Sequence, residues 1–210
     1  MGSGTVAAIA NRWLDADRDG DRSRGHLVVD CLRRPTAEAA VRFVEDDVTE
    51  RTYDGFTLLV ADDVAAFRVA YDGSLAVTPL APGVHVVGNV GSVCNGRAAF
   101  SIPETRAEAG TRRADSVRRI AATVVPNPGE SSANWLDRAT AALATPDFGA
   151  CLHGDRFGTR SLTRLRTGPD PTMGFADGPP CSTPVEPVAV PDAFAESAPG
   201  GVDDASAESS

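Results

Sequence analysis

Lysine is absent from this 210-residue sequence: all 20 basic residues are arginine, and 29 acidic residues bring the formal net charge to −9. A chain this acidic, without a basic stripe, repels the phosphates of nucleic acid, so DNA and RNA are not expected as partners. The preference for aspartate and the loss of lysine are typical of a salt-adapted (halophilic) protein, because high salt screens the repulsion between like charges. A GC-rich genome also favours arginine over lysine, and we expect both causes to contribute.

Long apolar runs are also missing. No segment approaches the roughly 18 consecutive apolar residues that mark a candidate transmembrane helix. The first residues do not combine a basic region with an apolar one, as a secretory signal would. The sequence therefore predicts a cytoplasmic protein without membrane insertion. Aromatic residues make up only 6% of a chain that is 42% hydrophobic, so the core is expected to consist mainly of alanine, valine and leucine.

Cysteines are few and widely spaced, at Cys31, Cys94, Cys151 and Cys181. None of them forms a C-x-x-C pair, so neither a zinc knuckle nor a dense disulfide framework is indicated. We expect reduced thiols that mostly pack as small apolar side chains.

Histidines are the other residues that commonly bind metals, and the sequence has three of them, His26, His85 and His153. They lie far apart in the sequence, and no spacing to a cysteine or carboxylate matches a metal motif. We therefore expect no metal site and no cofactor.

The hydrophobic periodicity predicts helices and strands in alternating blocks. Ser23 and Thr36 are predicted N-caps of two helices, and Asp72-Gly73 is a hairpin turn. The other helices are expected over residues 104–122 and 135–143. Strands are expected over residues 5–10, 56–61, 66–71, 75–80, 84–90, 150–153, 159–166 and 173–176. This order indicates an α+β fold with helices on the outer faces of stacked antiparallel sheets.

The C-terminal residues differ in composition from the rest of the chain. Beyond about Pro179 the sequence is rich in proline, alanine, serine and acidic residues. Such a segment buries too little apolar area to offset the entropy of ordering. We predict one domain over residues 1–183 and a disordered acidic tail over residues 184–210.

Five sequence blocks, taken in order, resemble the NRDE family, also called the transport and Golgi organisation family. They are residues 5–13 (TVAAIANRW), 23–32 (SRGHLVVDCL), 53–62 (YDGFTLLVAD), 82–90 (PGVHVVGNV) and 155–161 (DRFGTRS). The resemblance implies an αββα sandwich of the N-terminal nucleophile (Ntn) hydrolase type. In that plan a cysteine follows the initiator methionine, and its own α-amine acts as the base for the thiol.

The family's first motifs are not found in this sequence. They are Met-Cys, a strand with Asn-Arg-Asp-Glu, and Gly-Gly-Thr-Trp, whereas Gly2 follows Met1 here. We therefore expect a truncated member that lacks the N-terminal strands and is inactive as a hydrolase. In-frame DNA upstream of the first codon is expected to encode the missing motifs.

The resemblance also implies three site residues. Asn11 and Asn89 would polarise a substrate carbonyl, and Arg160 would orient the nucleophile or hold a substrate carboxylate. Simpler roles stay open for all three, because an asparagine at a strand end often satisfies a turn and an arginine after Gly-Thr often forms a surface salt bridge.

Two functions follow from the resemblance. The full-length protein would be a cytosolic hydrolase of an amide or related acyl bond. The alternative is a non-enzymatic binding or trafficking protein for haem or for a lipid- or coenzyme A-related molecule. In both cases the partner is a small-molecule substrate or ligand, with haem as one candidate, and whether the protein is an enzyme stays open. The sequence does not indicate an oligomeric state.

Overall fold

The computed structural model describes residues 4–16, 18, 20–155, 157–168 and 170–190. In these residues the chain forms four α-helices, α1 (Arg24–Leu32), α2 (Ala37–Glu50), α3 (Ala107–Thr123) and α4 (Ser132–Ala144). Short 3-10 turns cover Glu104–Arg106 and Pro146–Phe148. The strands of the same residues are β1 (Val6–Asn11), β2 (Phe56–Ala61), β3 (Ala66–Tyr71), β4 (Leu75–Pro79), β5 (His85–Gly88), β6 (Gly91–Cys94), β7 (Arg97–Phe100), β8 (Leu162–Arg166), β9 (Thr172–Ala176) and β10 (Glu186–Val188). The prediction of a mixed α+β protein is confirmed.

Three of the four described α-helices, α1, α2 and α4, begin where a side chain caps their first amides. The Ser23 hydroxyl accepts from Gly25 N at 3.2 Å, and the Thr36 hydroxyl accepts from Ala39 N at 3.1 Å. Ser131 caps α4 in the same way. Each hydroxyl satisfies one of the amides that an α-helix leaves unpaired at its N-terminus. The predicted caps Ser23 and Thr36 are confirmed.

The first sheet is antiparallel and has the strand order β1-β2-β3-β4. Its register places Val6 opposite Ala61 and Asn11 opposite Phe56, so β1 covers the whole length of β2. The β3–β4 hairpin turns at Asp72-Gly73, where Gly73 has a φ of 112°. This positive φ explains why the predicted Asp-Gly turn forms there.

The second sheet, β5-β6-β7, corrects the prediction of one strand over residues 84–90. β5 ends at Gly88, and two further strands follow that were not predicted. Gly91 begins β6 with a φ of 144°, and a Cβ added there would lie 2.1 Å from Ala99 O. Only glycine fits this approach. The glycines and small residues of this segment hid the alternating pattern of its short strands.

The third sheet has the order β10-β9-β8 and corrects two predictions. Residues 150–153 do not form the expected strand. Strand β10 pairs with β9 through Val188↔Met173, within the segment expected to be a disordered tail from residue 184 onward. Regular pairing thus extends past the predicted domain boundary at residue 183. The tail residues 191–210 lie outside the described residues.

Three hydrophobic clusters of the described residues hold the helices against the sheets. Helices α1 and α2 cover one face of the first sheet, where Tyr53, Phe56 and Tyr71 pack their rings together. Helix α3 packs on the second sheet through Val93, Val117 and Ala121, and α4 continues this layer. Burial of these apolar side chains is the main stabilising term of the fold.

A side-chain hydrogen bond links the first sheet to the second. Val69 of β3 points into the α1–α2 cluster, so its neighbour Arg68 points away from those helices. The Arg68 guanidinium donates to Ser92 Oγ of β6 at 3.0 Å. Ser92 in turn precedes Val93, which points toward α3. Within the described residues, no helix has both the length and the hydropathy needed to cross a membrane.

A buried polar network lies beside the α1–α2 cluster. The Tyr53 hydroxyl donates to the Asp47 carboxylate and accepts from Arg22 Nη1 at 3.0 Å. Arg51 Nη1 donates to Asp47 Oδ1 at 2.6 Å, and Arg22 also pairs with Asp30. Burial, together with the hydrogen bond to Asp47, raises the pKa of Tyr53 to about 12. The network fixes the loop before α1 against the end of α2.

Removing the Tyr53 hydroxyl tests this network. We expect Tyr53→Phe to lower the free energy of unfolding by about 1–3 kcal/mol, because Asp47 stays buried with one donor fewer. Urea unfolding followed by circular dichroism measures the change. Tyr71→Phe is the matched control, because Tyr71 is also buried but its hydroxyl bonds to no other described residue. Equal effects of the two substitutions would contradict a role for the hydrogen bond.

The loop between α3 and α4 is closed by a second charged pair. Arg138 Nη2 donates to Glu130 Oε2 at 2.5 Å and to Val125 O at 2.8 Å. Glu130 Oε2 also accepts from Asn127 N at 2.9 Å. The hydrogen bond from Arg138 is the main cause that lowers the pKa of Glu130 from 4.5 to about 2.

This depressed pKa makes a pH-dependent contribution to stability. The contribution is fully present above the unfolded-state pKa of 4.5 and is lost as the pH falls toward the folded value of about 2. We expect Glu130→Gln to lower the urea midpoint at pH 7, and the gap from the wild type to shrink between pH 4.5 and 2. Glu108→Gln is the control, since that side chain is 90% exposed and its ion pair contributes little. A gap for Glu130→Gln that stays constant over this pH range would contradict the assignment.

Candidate functional site

A cavity of about 500 Å³ opens at the end of β1. It lies where the chain leaves Asn11 and runs through residues 12–16 toward α1. Its described walls include four arginines, Trp13 of this segment and Asp54 before β2. The arginines are Arg12, Arg18, Arg24 and Arg106.

Gly55 allows the segment before β2 to approach Arg12 closely, and this contact forms one wall of the cavity. Arg12 N donates to Gly55 O at 2.9 Å, which extends the β1–β2 pairing by one step. A Cβ on residue 55 would lie 2.6 Å from Arg12 O, so a larger residue would push the two segments apart. Arg24, in the first turn of α1, donates to the same Gly55 carbonyl at 2.9 Å.

The β3–β4 hairpin holds two of the arginines. Arg12 pairs with the Asp72 carboxylate at 3.1 Å, and Arg18 donates to the Asp72 carbonyl at 3.2 Å. Arg18 also lies over the Tyr71 ring, 6.0 Å from its centre. These contacts hold both guanidinium groups at the cavity, where Arg12 is half-buried and Arg18 is exposed.

Arg106 reaches the cavity from the turn before α3. Asp15 Oδ1 accepts from Glu104 N at 2.5 Å, which ties that turn to the segment after β1. Arg106 lies over the Trp13 ring at 5.4 Å, and Arg113 lies near the same ring at 5.9 Å. Cation–π contacts of this kind orient a guanidinium over the face of the ring.

The cavity walls are therefore more basic than the chain as a whole. Among the described lining residues, four guanidinium groups face one carboxylate, that of Asp54, which lies 3.9 Å from Arg24. The whole chain carries a net charge of −9. Guanidinium groups bind carboxylates and phosphates through paired N–H donors, so the arrangement suits an anionic group.

Two of the three residues expected at the site lie together. Asn89 Nδ2 donates to Asn11 O at 2.9 Å, and Trp13 N donates to Asn89 O at 2.8 Å. Asn89 thus joins the β5–β6 turn to the end of β1, and Asn11 lines the cavity. The observed bonds of Asn89 are structural, which matches the simpler role left open for it.

The third expected residue, Arg160, lies elsewhere. Its side chain is exposed and lines a separate cavity of about 490 Å³, together with residues 152–155 and 157–159 and Pro179. The two cavities share no lining residue among those described. The structure therefore does not bring Arg160 to the Asn11–Asn89 pair through any described contact.

The structure adds a contact that the spacing of the histidines in the sequence did not predict. His153 Nε2 lies 3.7 Å from Cys151 Sγ and 3.1 Å from Cys181 Sγ, so a histidine does lie beside two cysteines. Burial, with a contribution from the Cys181 side chain, raises the pKa of the Cys151 thiol above its ordinary value. The C-x-H spacing of Cys151 and His153 was a signal in the sequence, but the approach of Cys181 was not.

Sequence analysis also missed the arginines of the cavity. Arg12 and Arg18 could have been noticed as basic residues that follow a strand end. Arg106 could not, because only the fold brings it beside Trp13.

Comparison of this chain with protein-family models and with curated proteins gives no match.

The Asn89 bridge generates a testable prediction. At neutral pH, Asn89→Asp replaces the Nδ2 donor by a carboxylate oxygen that faces the Asn11 carbonyl, so one bond is lost and a repulsion is added. We expect the free energy of unfolding to fall by about 1–3 kcal/mol. Urea unfolding, followed by tryptophan fluorescence, measures it.

Asn134→Asp is the control with the same change of charge. Asn134 is exposed in the first turn of α4, where a carboxylate is neutral or stabilising. The bridge assignment would be contradicted by an Asn89→Asp protein as stable as the Asn134→Asp protein.

Proposed function

We propose that the arginine-lined cavity binds a small anionic molecule through a carboxylate or phosphate group. The single observation that carries this proposal is the excess of guanidinium groups over carboxylates among the described residues of the cavity walls, in a chain whose net charge is −9. A volume of about 500 Å³ is in the range of small-molecule sites.

We also propose that the chain is a member of the NRDE family with an αββα sandwich of the Ntn type. The order of the five sequence blocks supports this. The packing of α1 and α2 on the first sheet and of α3 on the second, with the Arg68–Ser92 hydrogen bond between the two sheets, is compatible with it. In this proposal Asn11 marks the site shared with the family, and the cavity at the end of β1 is the ligand site.

Binding is favoured over hydrolysis for this chain. An acyl-transfer enzyme of the Ntn type needs a thiol or hydroxyl nucleophile at the substrate. None of the described residues that line the cavity carries either group. The hydrolase activity expected of a full-length form would therefore need a nucleophile from outside this set.

The described lining also distinguishes between the candidate ligands. Haem iron is held by histidine, cysteine, methionine or tyrosine, and none of these is among the described lining residues. Phosphate groups need only the guanidinium donors that are present. A phosphate-bearing molecule of the coenzyme A class is therefore our proposed ligand.

Titration calorimetry with coenzyme A tests the proposal. We expect saturable binding, weakened at least about tenfold by Arg18→Gln or Arg24→Gln, because a hydrogen bond to a charged group contributes about 1.5–3 kcal/mol. Binding should also weaken as salt screens the charges.

Arg42→Gln is the matched control, since Arg42 is 78% exposed on α2 and does not line the cavity. Hemin, titrated in parallel, tests the rival ligand. Absence of coenzyme A binding, or equal loss in all three variants, would contradict the proposal.

A further inference from the structure

Three metal-ligating side chains meet at a place remote in sequence from the arginine-lined cavity. The ligand atoms of Cys151, His153 and Cys181 all lie within 4.8 Å of one another. Cys151 is buried, while His153 and Cys181 are exposed, so the cluster has one side in the protein and one side open. The arginine-lined cavity contains none of the three residues.

A threonine fixes the segment that carries two of these ligands. Thr159 Oγ1 donates to Ala150 O and accepts from Leu152 N, each at 2.9 Å. Thr159 N also donates to Leu152 O at 2.9 Å. These bonds hold the backbone on both sides of Cys151, so its thiol and the His153 ring keep their relative positions.

The third ligand comes from a different turn. Ser182 N and Thr183 N both donate to Pro179 O, at 3.0 and 2.9 Å, and this turn presents Cys181. The turn follows β9, which pairs with β8 directly after the Thr159 segment. Sheet pairing therefore brings residues 28 positions apart into contact.

The spacing of the three atoms fits a tetrahedral metal ion. With metal–sulfur bonds of about 2.3 Å and metal–nitrogen bonds of about 2.0–2.1 Å, the sulfur–nitrogen edges of a tetrahedron are about 3.6 Å and the sulfur–sulfur edge about 3.8 Å. The observed sulfur–nitrogen distances are 3.7 and 3.1 Å. Small side-chain rotations would complete the geometry.

We propose that Cys151, His153 and Cys181 bind a thiophilic divalent ion of the zinc class, with a fourth position open to the neighbouring cavity. Two thiolates and one imidazole form a soft donor set that favours zinc over magnesium or calcium. Three protein ligands with one open position are typical of zinc sites that bind a substrate or water, whereas structural sites are closed by four.

Arg160 places a positive charge in the cavity at the open side of the cluster. His153 and Arg160 line the same cavity of about 490 Å³. An anion at the open position would therefore have the metal on one side and a guanidinium within the same cavity. On binding, each thiol that ligates loses its proton to solvent as the metal–sulfur bond forms. This proposal is independent of the anion-binding function assigned to the arginine-lined cavity.

Cobalt(II) is the probe, because its thiolate complexes absorb in the near ultraviolet and its tetrahedral complexes absorb strongly in the visible. We expect the reduced, metal-free full chain to bind one equivalent of cobalt with both bands, and zinc to displace it. Zinc should also protect two of the four cysteines from a thiol reagent and raise the urea midpoint.

Cys181→Ser and His153→Gln should each weaken cobalt binding at least about a hundredfold. Cys94→Ser is the matched control, because Cys94 lies on β6 away from the cluster, and it should bind as the wild type does. Circular dichroism of the metal-free variants shows whether each is folded before the titration. Cys181→Ser and His153→Gln lie in different segments of the chain. If one of these variants fails to fold, cobalt binding by the other still tests the proposal.

Three results would overturn the proposal. The first is no stoichiometric cobalt band in the reduced wild type. The second is a band that survives both Cys181→Ser and His153→Gln. The third is a Cys151–Cys181 disulfide that forms in air, while the reduced protein binds no metal, which would make the cluster a redox pair.

Discussion

The hydrogen bonds of Asn89 connect the turn between β5 and β6 to the end of β1, beside the cavity that is proposed to bind the ligand. Its side chain donates to the carbonyl of Asn11, and its carbonyl accepts from Trp13 N. One residue of the β5–β6 turn thus satisfies two backbone groups just where β1 ends and its pairing with β2 stops. Unpaired, these groups would have to be solvated at the mouth of a cavity, at a cost in stability. The arginine-bearing segment after β1 is placed by this bridge.

The positive charge of its arginines distinguishes the cavity from the rest of this acidic chain. In an acidic chain without lysine, the guanidinium groups of the cavity are held by backbone carbonyls and aromatic rings as much as by carboxylates. Arg18 illustrates this, because it donates to the Asp72 carbonyl and lies over the Tyr71 ring. Arg24 donates to the Gly55 carbonyl and also lies 3.9 Å from the Asp54 carboxylate. Salt at the concentrations that suit such an acidic surface would screen the exposed charges more than those of the cavity. The proposed ligand site is therefore compatible with a salt-adapted protein.

Local signals predicted much of the fold and little of the site. Ser23 and Thr36 were recognised as caps, and Asp72-Gly73 as a turn, because each depends on neighbouring residues alone. Asn95-Gly96 joins β6 to β7 and is an equally strong hairpin signal. This signal was missed, because the apolar run over residues 84–90 predicts a single strand. The metal-ligand cluster and the arginine cavity depend on pairing between distant strands and turns, which no local pattern contains. The predicted grouping of Arg160 with the two asparagines rested on resemblance, and the contacts of the structure do not supply it.

The most direct test of the anion-binding cavity uses the absence of lysine. In protein labelled with nitrogen-15 at arginine, every basic side chain apart from histidine is visible through its Nε–H resonance. On addition of coenzyme A, the account predicts shifts concentrated on Arg12, Arg18, Arg24 and Arg106. Shifts spread evenly over the surface arginines, or confined to Arg160, would contradict it.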